Sequence, residues 1–199
     1  MRITKFLSIG IGTMILISMF SMVLPATLQS VSAVEKVDQI DVRARAIPVT
    51  LPGGQTVTAY HLFIVYAQKD TKDYVCQGFP LDPATGQVPR DADLPLNLPS
   101  PFLLQGRCIP FGPDNRDFNP NARSVTVVSG PDSKDVYKCF VKQTSIFNDA
   151  KLPYALLATN SNSYIRTMLD RCDVPGGDSR LPPGVTAQNA PGWSITGLP

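Results

Sequence analysis

Two residues of this chain have the type and the setting for acyl chemistry. Ser161 stands in the run Ala158-Thr159-Asn160-Ser161-Asn162-Ser163-Tyr164-Ile165-Arg166-Thr167-Met168-Leu169, where polar capping residues lead straight into a helical apolar stripe. With Asn160 or Ser161 as N-cap, Tyr164, Ile165, Met168, Leu169 and Cys172 fall on one helix face, and Ser161 sits at its N-terminal end. Ser163 falls instead above Arg166, Thr167 and Asp170, the expected solvent face. A hydroxyl at the positive end of a helix lies where a developing anion is favoured. Capping alone also asks for Ser or Asn at such a position.

The second residue is His61, the only histidine in the chain. It shares a strand face with Val57, Ala59, Phe63 and Val65, which predicts substantial burial. A buried imidazole is a candidate general base when a nucleophile lies within hydrogen-bond reach. A core histidine bonded to a backbone carbonyl, or one at a strand end near solvent, fits the same pattern.

The elements that must position these two residues are those of an α+β domain, an antiparallel sheet packed against two or three helices. Gln39 to Val49 alternates Ile40, Val42, Ala44 and Ala46 with Asp41, Arg43 and Arg45, the period of a half-buried strand. After the turn residues Pro52-Gly53-Gly54-Gln55, Val57 to Tyr66 is β-branched, aromatic and apolar on both faces, as for a central strand. Asp73 to Phe79 reads as its antiparallel return. Phe79 to Pro120 carries nine prolines. It reads as a long loop, an insertion or a lid, with one short strand near Phe102 to Leu104, because proline removes backbone donors. Strand pattern resumes at Arg123 to Gly130. Asp132-Ser133 then caps a helix with Val136, Cys139, Phe140 and Phe147 on its apolar side. After Cys172 come five prolines, five glycines and no charge beyond Arg180, expected as an irregular tail over 173–199 that lies on the domain or frays.

The N-terminus has the order of an export signal. Arg2 and Lys5 precede the uncharged run Phe6 to Leu24, and Ser30-Val31-Ser32-Ala33 resembles a small-residue cleavage site, so 1–33 is expected to be a signal peptide. The apolar run approaches the length of a membrane-spanning helix, so an uncleaved anchor is the alternative, and the membrane becomes a partner only in that case. Without 1–33, the chain has 166 residues, suited to one domain over 34–172 plus the tail, and 16 Lys+Arg against 16 Asp+Glu. That balance points away from nucleic acid. Export predicts a secreted or periplasmic location, and there Cys76, Cys108, Cys139 and Cys172 read as disulfides. Of the three connectivities four cysteines allow, Cys76 with Cys108 staples the proline-rich stretch and Cys139 with Cys172 ties two predicted helices. Free buried thiols are the alternative. The spacing of cysteines and the one histidine suggests no metal, and no cofactor is expected.

A histidine in the context His61-Leu62-Phe63-Ile64-Val65-Tyr66, roughly a hundred residues ahead of the helix start Asn160-Ser161-Asn162-Ser163-Tyr164, resembles the permuted papain-like fold. That group includes circularly permuted NlpC/P60 hydrolases and lecithin:retinol acyltransferase-like enzymes. The resemblance covers 57–79 and 158–172. It implies His61 as base, Ser161 after Asn160 at the nucleophile position, Tyr164 as the helix aromatic beside the binding site, and an orienting polar residue near Gln77 on the return strand. The family carries cysteine where this chain carries Ser161. A thiol ionises readily beside a histidine, whereas a serine hydroxyl depends on a well-placed base and on oxyanion donors during attack.

Two functions follow as expectations. One is an exported cell-envelope domain with a degenerate cleft that binds a peptide, glycan or lipid. The other is a serine-variant hydrolase or acyltransferase acting on an envelope amide or ester, with Ser161, His61 and Gln77 as its machinery and Asn160 and Tyr164 lining its site.

Overall fold

The computed structural model describes residues 37–51, 53–90 and 93–199. The expected signal peptide lies outside the described residues. Five strands, β1 (Gln39–Thr50), β2 (Thr56–Ala67), β3 (Tyr74–Leu81), β4 (Leu103–Pro110) and β5 (Arg123–Ser129), form one antiparallel sheet in the order β4-β3-β2-β1-β5. Two helices follow, α1 (Asp132–Asp149) and α2 (Ser161–Arg171), and then a short 3-10 turn at Gly177–Arg180. The architecture is α+β, stapled by disulfides Cys76–Cys108 and Cys139–Cys172.

The alternation of β1 and β2 divides the sheet's two faces. Ile40, Val42, Ala44, Leu62, Ile64 and Tyr66 pack with Phe140 and Phe147 of α1 and with Tyr164, Ile165, Met168 and Leu169 of α2. The opposite face carries a smaller cluster of Phe63, Val65, Ala67, Val75 and Phe111, with Ile109 and Ala122 packed against it. Cys76 and Cys108 are register partners across β3 and β4, so that disulfide joins neighbouring strands, while Cys139–Cys172 ties α1 to the end of α2. Disulfides persist in oxidising compartments. Among the described residues, no helix is long and apolar enough to cross a membrane.

Three expectations are corrected. The proline-rich stretch contains the eight-residue strand β4, because Leu103 to Ile109 has no proline and Pro110 falls only at the strand end. α1 has Pro131 at its N-cap with no side-chain capping bond; Ser133 Oγ instead donates to the Asp38 carbonyl. Ser163 and Thr167 of α2 are buried, not solvent-facing, because the segment after Cys172 packs onto the domain, with Trp193 fully buried in the main core.

β2 and β3 are paired only from Ile64↔Cys76 to Tyr66↔Tyr74; beyond that the two strands splay apart. The start of α2 fills this opening, and two glycines let it come close. A Cβ on Gly78 would lie 2.8 Å from the Ser161 Cα, and one on Gly106, its register partner, 2.2 Å from the Tyr164 ring. Gly78→Ala is therefore expected to cost about 1–3 kcal/mol by overpacking, measured as a shift of the urea-unfolding midpoint at constant slope. An unchanged midpoint would contradict the close approach.

Candidate active site

The site is assembled from three parts of the fold. β2 carries His61 on the face away from the helices, stacked beside Phe63. The start of α2 carries Ser161. The connection between β4 and β5, folded over the Phe63 and Val65 face, carries Asp117, whose backbone N–H donates to Asn115 Oδ1 at 2.9 Å. His61 Nδ1 lies 2.7 Å from Ser161 Oγ, and His61 Nε2 lies 3.2 Å from Asp117 Oδ2.

Local sequence explains each placement. Asn160 is the N-cap of α2: its side chain accepts from the N–H groups of Asn162 and Ser163, and Ser163 Oγ accepts from the Asn160 N–H, a reciprocal capping box. The cap does not take the N–H of Ser161 itself. Asn160 is therefore a buried scaffold as well as a cleft-lining residue. Tyr164 is neither exposed nor part of the cleft: its ring packs edge-on to Phe147, and its hydroxyl bonds Thr144 Oγ1 at 2.7 Å. The resemblance placed it at the binding site, but its position in α2 turns it under the sheet, where Gly78 and Gly106 make room.

Asp117 is almost fully buried and holds a cluster of donors. Arg45 Nε donates to Oδ1 at 2.7 Å. The neighbours assign the orientation of the Gln77 amide: two Arg107 guanidinium nitrogens at 2.8 and 3.1 Å call for Oε1 on that side, so Nε2 faces Asp117 Oδ2 at 3.1 Å and donates to it. Gln77 thus touches the orienting carboxylate, and Asp117 touches the imidazole. Burial pushes the Asp117 carboxyl up, but the bonds and charges of His61 and Arg45 outweigh it and hold the group well below the usual carboxylate range. An ionised carboxylate only accepts, so His61 Nε2 is the donor to Asp117, and in the neutral imidazole Nδ1 is the acceptor facing the Ser161 hydroxyl. In the familiar serine-protease triad Nε2 faces the serine; here the imidazole is turned over.

Among the site residues that the sequence reading missed are Asp117 and Arg45. Arg45 had been placed among the polar residues of an alternating strand, and Asp117 sits in a turn-rich stretch with no pattern that marks it. The polar face of β1 is covered in the fold, so that Asp41 is nearly fully buried and accepts from Arg43 and Thr126.

The triad opens into a cleft of about 1290 Å³. One wall is the β1–β2 hairpin, including Ile47, Val49 and Val57; the other includes Phe79, Leu94 and Leu96. Among the described residues, no group of three or more His, Cys, Asp or Glu is placed to hold a metal ion. No family model matches the chain, and no curated protein or solved structure is significantly similar to it.

Because folding lowers the Asp117 pKa, its stabilising contribution is complete above the unfolded carboxylate pKa of about 3.9 and is lost as pH falls below it. The stability difference between wild type and Asp117→Asn is therefore expected to shrink between pH 7 and pH 3, measured by denaturant unfolding at both. A constant difference would contradict the paired, ionised carboxylate.

Proposed function

We propose that this protein is an exported serine hydrolase or acyltransferase of permuted papain-like architecture, acting on an amide or ester of the cell envelope. The observation that carries the reading is the continuous hydrogen-bond chain Ser161–His61–Asp117 at the floor of a large cleft. The order of parts supports the kinship: the histidine lies on an early strand and the nucleophile starts a later helix. The orienting residue is Asp117 from the β4–β5 connection, supported by Gln77 on the neighbouring strand.

In the proposed reaction Ser161 Oγ attacks the substrate carbonyl carbon, and its proton passes to His61 Nδ1. Asp117 stabilises the resulting imidazolium through Nε2. The oxyanion develops at the N-terminus of α2, where the Ser161 N–H and the helix dipole face it. His61 returns the proton to the departing alcohol or amine, leaving an acyl-Ser161 ester. A water or an acceptor alcohol or amine, deprotonated by His61, then attacks that ester, and His61 returns the proton to Oγ as the acyl–Oγ bond breaks and Ser161 is released. Serine suffices where the family has cysteine because the base is already within hydrogen-bond reach and held by a buried carboxylate. A degenerate binding cleft has no need of that chain, and for this reason the geometry favours the enzyme.

A fluorophosphonate probe is expected to label Ser161, with labelling abolished in Ser161→Ala and slowed about 10³-fold or more in His61→Ala. Equal labelling of wild type and both variants, or none of any, would leave the binding module as the function.

A further inference from the structure

We propose that Asn162 is the positioning residue of this site, a side-chain clamp that sets the distance between Ser161 and His61. The inference rests on the hydrolase reading for its catalytic consequence. Asn162 Oδ1 accepts from the Leu62 N–H at 2.8 Å, and Nδ2 donates to the Tyr60 carbonyl at 2.8 Å and to the Pro191 carbonyl at 2.9 Å. The amide therefore grips the backbone on both sides of His61, from the residue that follows Ser161.

The reason lies in the splay of the sheet. Strand residues alternate the side to which their backbone groups point. Tyr60 and Leu62 turn theirs away from β1, into the opening where β3 has already parted from β2. Buried backbone groups left there without partners would each cost about 1–3 kcal/mol. A primary amide offers the donor and the acceptor that a neighbouring strand would have supplied. The Asn189 carbonyl completes this edge by accepting from the Tyr60 N–H at 2.7 Å, and Pro191 joins the clamp through both Asn162 and Asn160. Asn162 is itself nearly fully buried, and both its N–H hydrogens and its oxygen are engaged.

The consequence is a short closed cycle. It runs from Ser161 through one peptide bond to Asn162, through the side-chain amide to residues 60 and 62, and through His61 Nδ1 back to Ser161 Oγ. A displacement of about 1 Å between nucleophile and base costs on the order of 10²-fold in rate, so opening this cycle slows chemistry without removing a reacting group.

The test compares wild type, Asn162→Ala, Asn162→Asp and Thr144→Val by two readouts on the full chain. One is the fluorophosphonate labelling rate of Ser161. The other is the imidazole ¹⁵N signals of His61, unambiguous because the chain has one histidine. Thr144 bonds Tyr164 and the Phe140 carbonyl in the core, so its variant controls for lost stability alone. Asn162→Ala is expected to slow the maximal labelling rate about tenfold to a hundredfold and to shift the His61 signals toward a mixture of tautomers. Thr144→Val should keep the wild-type rate and signals. Asn162→Asp keeps an acceptor for Leu62 but loses both donor bonds; it should show the same changes and stands in if Asn162→Ala does not fold. Wild-type signals and rate in folded Asn162 variants, or equal changes in Thr144→Val, would overturn the clamp. If wild type itself is not labelled, the hydrolase reading fails, and the His61 signals alone decide the clamp in the same two directions.

Discussion

The organisation of this protein depends on one constraint, the early parting of β2 from β3. A sheet that paired along its whole length would have no cleft, and its interior strand edges would be satisfied by each other. Here pairing stops after three residue pairs, and two exposed edges must be satisfied by something else. On the β2 edge the start of α2 does much of this, and the Asn189 carbonyl accepts from the Tyr60 N–H. Gly78 and Gly106 remove the side chains that would hold it off, and Asn162 supplies the amide that the missing strand would have supplied. The packing of α2 and the Ser161–His61 contact have one cause, since the helix that repairs the sheet also brings Ser161 to His61.

The second organising element is a buried charge. Removing an ion from water is costly unless its lone pairs are matched, and truncating one member of a buried pair typically costs about 3–5 kcal/mol. Asp117 accepts from His61, Arg45 and Gln77, contributed by β2, β1 and β3, so the three strands beneath the cleft converge on one carboxylate. That convergence fixes the imidazole's orientation. It also draws the β4–β5 connection over the sheet's second face, where Phe111 and Phe118 pack against each other and Phe63 is covered.

The sequence showed what local pattern determines. Alternation in β1, the β-branched and aromatic run of β2 and the strand pattern of β5 are carried by each strand's own residues, and so is the apolar stripe of α2. The disulfide pairing was legible because each bond joins elements that the chain order already makes neighbours. His61 and Ser161 stood out by rarity and by position. What stayed hidden depends on contacts between distant residues. Asp117 reaches His61 from a loop 56 residues away, and nothing in the turn cluster around it distinguishes it from Asp114. β4 was obscured because prolines counted over a long window concealed a proline-free run. The segment after Cys172, poor in charge and periodicity, looked peripheral. Yet Trp193 lies in the core, with its Nε1 bonded to Asp178 and Arg166 over its ring.

Placing serine rather than cysteine beside a turned-over imidazole sets a definite electronic requirement. In the proposed reaction the hydroxyl gives up its proton during attack, so Nδ1 has to be free to receive it while the proton on Nε2 stays bonded toward Asp117. The single histidine makes that arrangement directly observable. In ¹⁵N NMR of the imidazole under conditions where it is neutral, Nε2 should carry the proton and Nδ1 should show the unprotonated acceptor signal. A proton resident on Nδ1, with Nε2 bare, would contradict the assignment of Ser161 as nucleophile and His61 as its base.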